Sequence, residues 1–221
     1  MTLIRSLWIL LPIAFLTSVP GFAQFTPIAQ PTAAYTSGTT LFPITVTDGT
    51  SVSSLAAGGQ TITFSQTMTA GTVPATWLTW GSPPNTEGST PRVLVTSGTS
   101  LTLTLDTPAQ ILGFEIEPNN VTPVTITAAF RNGAVILGTV TLSFSGYSSA
   151  LLAAASDPSQ PITAVDISAP ASNGFAIARL RDFPTTVTTP TLSFPALAGL
   201  ALALAGLGVM LARRARPAAS F

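Results

Sequence analysis

Glu115 and Glu117 are the closest pair of carboxylates in the chain, and they sit in a stretch that reads as a β-strand. Two carboxyl groups flanking a bond are what glycoside hydrolysis needs, one as acid and the other as base or nucleophile. Side chains two residues apart in a strand share a face, with Cα atoms roughly 7 Å apart. The same pattern has a plainer meaning: Leu112, Phe114 and Ile116 alternate with the glutamates, so an inward apolar row and a solvent-facing acidic row account for the stretch without catalysis. That plainer reading is adopted. The pair also adjoins Asn119 and Asn120, and the four side chains offer hard oxygens of the kind that hold Ca²⁺ where a strand meets a turn. Asparagines after Pro118 are equally ordinary turn chemistry, so no metal ligand is assigned.

Trp77, Trp80 and Tyr147 bring ring faces that could stack on sugars. A spacing of three places the two tryptophans on opposite faces of a regular strand, so one of them is expected in the core. Asn120-Val121-Thr122 fits the N-glycosylation tripeptide, a pattern too short to carry weight by itself.

Composition closes most other chemistry. The chain has no histidine, no lysine and no cysteine, which excludes a Ser-His-Asp triad, a Ser-Lys dyad, a Schiff base, histidine metal sites and thiolate nucleophiles. No catalytic residue, cofactor or enzymatic activity is expected. Between the two hydrophobic ends lie 8 acids and 4 arginines, a net charge of −4, which argues against nucleic acid as a partner because phosphate binding needs clustered positive charge. Polarity comes instead from Thr, Ser, Asn and Gln, and threonine also favours pleated structure.

The elements that must position these side chains are strands. Leu101, Leu103 and Leu105 alternate with Thr102 and Thr104, and Val124, Ile126, Ala128 and Phe130 repeat the pattern. Further candidate strands fall at 44–47, 61–69, 75–80, 92–96, 111–117, 135–144, 162–167 and 175–181, with turn-formers between them. Asn132-Gly133 predicts a tight type I′ hairpin. The inward parity then changes between Leu137 and Val140, which predicts a bulge at or near Gly138. Only 149–156, rich in alanine, suggests a turn or two of helix. Many short strands with scarce helix predict an all-β fold, an antiparallel β-sandwich that is jelly-roll-like or immunoglobulin-like.

Both ends read as targeting segments. Residues 1–23 form a signal peptide with one basic residue, Arg5, an apolar stretch at 7–16 and small residues around Ala23, so that cleavage would leave Gln24 first. Residues 24–40 read as a loose leader, 41–183 as the β-sandwich ectodomain, and 184–193 as an extended tether whose prolines exclude helix. The uncharged run 194–212 would span roughly 25 to 29 Å as a helix, enough to cross a membrane. The basic cytoplasmic tail 213–221 follows, in which Arg213, Arg214 and Arg216 would stop translocation.

Pro190, Thr191, Leu192 and Ser193, followed by the apolar run and Arg213, Arg214 and Arg216, resemble the C-terminal sorting segments of the PEP-CTERM type, and more narrowly the IPTL variant. Thr189 stands where that variant has isoleucine, and Phe194-Pro195-Ala196 where it has Glu-Trp-Gly. The stretches 111–119 and 173–180 are similar to strands in small exported sandwich domains that carry this tail. The resemblance implies an exosortase-like membrane peptidase, acting after the secretion machinery, that reads Pro190 to Ser193 as its substrate site. It also implies delivery to the cell surface or biofilm matrix of a Gram-negative bacterium. The expectation is an exported, non-catalytic surface or matrix protein held at least transiently by its C-terminal helix. The alternative is a carbohydrate-binding module for extracellular polysaccharide, permanently anchored by that helix.

Overall fold

Period-two patterning becomes pleated structure through most of the chain. In the computed structural model, which describes residues 24–147 and 149–185, the order is β1 (Thr26–Ile28), α1 (Ala33–Gly38), β2 (Thr40–Leu41), β3 (Ser51–Ala57), β4 (Gln60–Thr72), β5 (Arg92–Thr96), β6 (Ser100–Pro118), β7 (Val124–Asn132), β8 (Val135–Phe144), β9 (Leu151–Ser156), β10 (Ile162–Ser168) and β11 (Phe175–Pro184). Ala23, the tether beyond Thr185, the 194–212 run, and Arg213, Arg214 and Arg216 lie outside the described residues, as do the sorting residues Pro190, Thr191, Leu192 and Ser193. The fold is all-β, and every strand pairing is antiparallel.

The 19-residue β6 is shared between two layers. Its first half pairs with β4 (Leu103↔Phe64) and β10 (Leu103↔Val165), while its second half pairs with β9 (Phe114↔Ala153) and β11 (Ile116↔Ile177). The change of partners falls around Pro108, which has no N–H to give to a ladder. One layer is therefore β3-β4-β6-β10-β7-β8; the other is β1-β9-β6-β11, with β2 and β5 along the remaining edge of β11, and β5 also pairs with β4, so the two layers join there as well as through β6. Leu101, Leu103, Phe114, Ile116, Phe130, Ile167, Phe175 and Ile177 belong to the apolar core between them.

The hairpin and the bulge follow the sequence pattern with two refinements. Asn132 pairs with Val135, so the turn residues are Gly133 and Ala134, and only Gly133 has positive φ (58°). A type I′ turn needs positive φ at both positions, so the expected type is replaced. Phe130 pairs with Gly138 and Arg131 with Ile136, which leaves Leu137 as the extra residue. A side chain at Gly138 would occupy the place of the Phe25 ring, which packs on Phe130 at a centroid distance of 5.6 Å.

Several expectations are corrected. The segment 24–40 is not a loose leader: β1 adds to β9, and α1, capped by the Thr32 side chain accepting from Tyr35 N, buries Tyr35 against Leu152 and Ala154. The segment 149–156, expected as a turn or two of helix, instead forms β9 over Leu151–Ser156, because the alanines are small enough to be covered on both faces. Neither 44–47 nor 75–80 is a strand. β11 continues past 183 to Pro184, and Thr185 bonds Pro108 O through both its N–H and its hydroxyl.

Candidate functional site

From Leu112 to Pro118, β6 is buried on both faces, so the glutamates do not face solvent. Glu115 lies between Ala178 of β11 and Leu152 of β9, and Glu117 lies beside Ala176. Alanines keep this outer face low, and the segment 73–91 settles on it, packing Val73 and Trp80 against Val93, Ala150, Ala176 and Ala178. At Gly81 that segment approaches so closely that a Cβ would strike the Ala150 carbonyl.

The covering segment is tied down through the two carboxylates. Glu117 Oε2 accepts from Trp77 Nε1 at 2.7 Å, and Oε1 accepts from Thr79 Oγ1 at 3.1 Å and Ser149 N at 3.2 Å. Glu115 Oε2 accepts from Trp80 Nε1 at 2.9 Å, and its other oxygen accepts from Glu87 N. The Glu87 carboxylate takes both forks of Arg181, at 2.6 Å from Nε and 2.9 Å from Nη2, while Arg181 Nη1 donates to Thr36 O and Thr39 O at the end of α1. A single polar chain thus links β6, the cover, β11 and α1. Each ion that leaves water here is met by charge-assisted bonds, which is the condition for burying it at tolerable cost.

Burial pushes the Glu115 carboxyl above its usual pKa, against the bonds from Glu87 N and Trp80 that favour the ionised form. The bond to Glu87 raises Arg181 further. Burial also raises the Tyr35 hydroxyl, which sits over Gly113 and has no hydrogen-bond partner among the described residues. Between β4 and β11, Gln60 Nε2 donates to Asp182 Oδ2 at 2.6 Å, and desolvation, with Asp106 adding repulsion, pushes Asp182 up to about 6.

The glutamates thus act as anchors, and the glycosidase geometry is absent: both carboxylates are fully buried and hydrogen-bonded, leaving no room for a sugar or a water between them. The calcium set does not assemble either. Asn120 clamps the turn before β11, donating to Ala171 O and accepting from Asn173 N, and Asn119 donates to Asn173 O. Among the described residues no group of three or more acidic side chains converges on a metal position.

The three aromatics separate. Trp80 is buried at 5 % exposure, so one tryptophan does belong to a core, through a folded-over loop and not through strand alternation. Trp77 and Tyr147, seventy positions apart in sequence, meet in a pocket of about 310 Å³ whose walls also include Thr76, Leu78, Pro118 and Asn119. Tyr147 is 54 % exposed and Leu78 77 %. Sequence reading missed Glu87, Arg181, Tyr35 and Asp182. The signal for the cover lay at 175–180, where both faces of the strand are apolar except at Arg179, the pattern of a strand covered on two sides.

No protein-family model matches the sequence, and no curated protein does either. Loose overlaps exist with solved structures. A family 29 carbohydrate-binding module from Piromyces equi is 11% identical, with a TM-score of 0.30 over 69% of this chain and 93% of that one. A family 11 carbohydrate-binding module of a cellulosomal cellulase of Clostridium thermocellum is 13% identical, with a TM-score of 0.29 over 66% and 94%. The enzymatically active domain of bacteriophage CBA120 tailspike protein 4 is 16% identical, with a TM-score of 0.30 over 58% of this chain, which spans about a fifth (20%) of that one.

Proposed function

We propose that this chain is an exported, non-catalytic β-sandwich protein that holds polysaccharide at the pocket between Trp77 and Tyr147. The observation that carries the reading is the convergence of those two rings on one open pocket, with Trp77 already fixed at its indole N–H by Glu117. A ring that is immobilised before a ligand arrives loses little entropy on binding, and sugar C–H faces stack on such rings. Thr76 and Asn119 also line the pocket, both held in place by bonds to the protein backbone. Saturation-transfer NMR with neutral and acidic oligosaccharides tests it. Tyr147→Ala, at an exposed position, is expected to remove the transfer signal while leaving the melting temperature unchanged, and absence of any signal from the native protein would overturn the reading.

Delivery is the second part of the proposal, and the sequences of the two ends support it. The 1–23 segment directs export, 194–212 holds the chain in the membrane, and an exosortase-like peptidase reads Pro190, Thr191, Leu192 and Ser193, with Arg213, Arg214 and Arg216 as the stop. Mass spectrometry of the surface form is expected to find a C-terminus upstream of the apolar run. An intact Arg216 there would replace sorting with a permanent anchor.

A further inference from the structure

We infer that Arg179 is the centre of a second binding site, one that takes the carboxylate of an acidic sugar. Among the described residues, Arg92, Arg131 and Arg181 each have a carboxylate within ion-pair distance, and Arg179 has none. Its Nε is buried and lacks a hydrogen-bond partner. Glu115 feels the charge of Arg179, but its two oxygens are committed to Trp80 and to Glu87 N. A guanidinium partly removed from water with nothing to neutralise it is an unfinished interaction.

The backbone points the same way. Ala178 pairs with Glu115 and Arg181 with Gly113, so β11 carries an extra residue between them. Arg179 occupies that bulge at φ 51°, where it is the one described residue other than glycine with positive φ. Glycine takes this conformation without strain, whereas an arginine takes it against a steric penalty. The bulge keeps Leu180 in the core and lets Arg181 reach Glu87; neither outcome needs an arginine at 179.

The side chain lines a pocket of about 230 Å³ at the gap that β2 and β5 leave along the edge of β11. Leu41, Pro43 and Pro91 supply apolar walls, with Thr90 and Arg92 beside them. Arg92 is already matched by Asp48 at 2.9 Å, so the site has one net positive charge to offer. That balance suits a single carboxylate, whose two oxygens fit the guanidinium fork, better than a doubly charged phosphate. The apolar walls suit the C–H face of the ring that bears it. The choice of a sugar acid rests on the polysaccharide reading above; the anion site itself lies apart from Trp77 and Tyr147.

Calorimetric titration of the full chain in detergent with sodium glucuronate, glucose and sodium acetate tests the inference. Glucuronate is expected to saturate the native protein and to bind more tightly than acetate. Arg179→Gly is expected to weaken it by about tenfold or more, the worth of a charge-assisted bond, while the melting temperature stays level or rises as the strained backbone relaxes. Arg179→Lys is expected to keep part of the affinity. Tyr147→Ala is expected to leave glucuronate binding intact, so failure of the aromatic pocket and failure of this site read out separately. Glucuronate affinity unchanged by Arg179→Gly, a marked fall in melting temperature in that variant, or acetate binding as tightly as glucuronate would each overturn the inference.

Discussion

The second half of β6 presents two faces that are equally dry and chemically opposite. Toward the interlayer core it turns Leu112, Phe114 and Ile116, all at 0 % exposure; toward the covering segment it turns Glu115 and Glu117, also at 0 %. The inner face is held by non-directional burial, which tolerates small shifts as long as volume is filled. The outer face is held by bonds with fixed partners and angles, so it determines where the cover sits and in which orientation Trp77 is presented. An apolar core would have supplied stability there, but not that positional definition.

Substitutions can break this contrast. Phe114→Ala should be the most damaging, costing about 3–5 kcal/mol in chemical denaturation, because it leaves a cavity that β6 cannot collapse into. Arg181→Met should cost about 3 kcal/mol by stranding the Glu87 carboxylate, and adding Glu87→Leu should recover most of the loss, since a buried pair replaced whole is close to neutral. A double variant as unstable as the single one would mean that the Arg181 bonds to Thr36 and Thr39 matter more than the ion pair.

A third buried carboxylate, Asp182 on the neighbouring β11, responds to acidity. Asp182 is raised from 3.8 to about 6, so its contribution to stability is complete below about pH 4 and is lost as pH rises through 6. Native protein should therefore gain on the order of 2 kcal/mol from this group between pH 7 and pH 4.5. Asp182→Asn should remove that gain, measured as the difference in urea midpoint at the two pH values. The smallest effect is expected of Glu117→Gln, about 1–2 kcal/mol. Its signature should be local: a red shift in Trp77 emission and faster proteolysis within 73–91, with the rest of the sheet still protected. Equal loss of protection throughout would mean that the outer face is part of the global core.

Much of the sheet was legible because period two survives any tertiary context that buries one face. The strands around Leu101 and Val124, a hairpin between β7 and β8 and the parity change before Val140 all showed in the residue pattern, though not the turn type. The site did not, for a definite reason. Alternation of Phe114 with Glu115 says that two faces differ; it does not say that the polar face meets water. What covers that face comes from 73–91, where the strand expected at 75–80 does not form, and from α1, whose Ala/Thr/Ser composition resembles that of a linker.

Composition alone determined that this chain has no histidine, lysine or cysteine chemistry, and alternation alone determined that it is built of strands. Only the tertiary structure decided that Glu115 and Glu117 are anchors, that Trp77 and Tyr147 line one pocket, and that Arg179 has no counter-ion among the described residues. Those facts depend on long-range pairing, in which the Glu117 carboxylate finds the Trp77 indole 40 residues away. Local sequence carries the preference of each strand for its pleat, whereas the identity of a partner is set by which surfaces are brought together when the layers close.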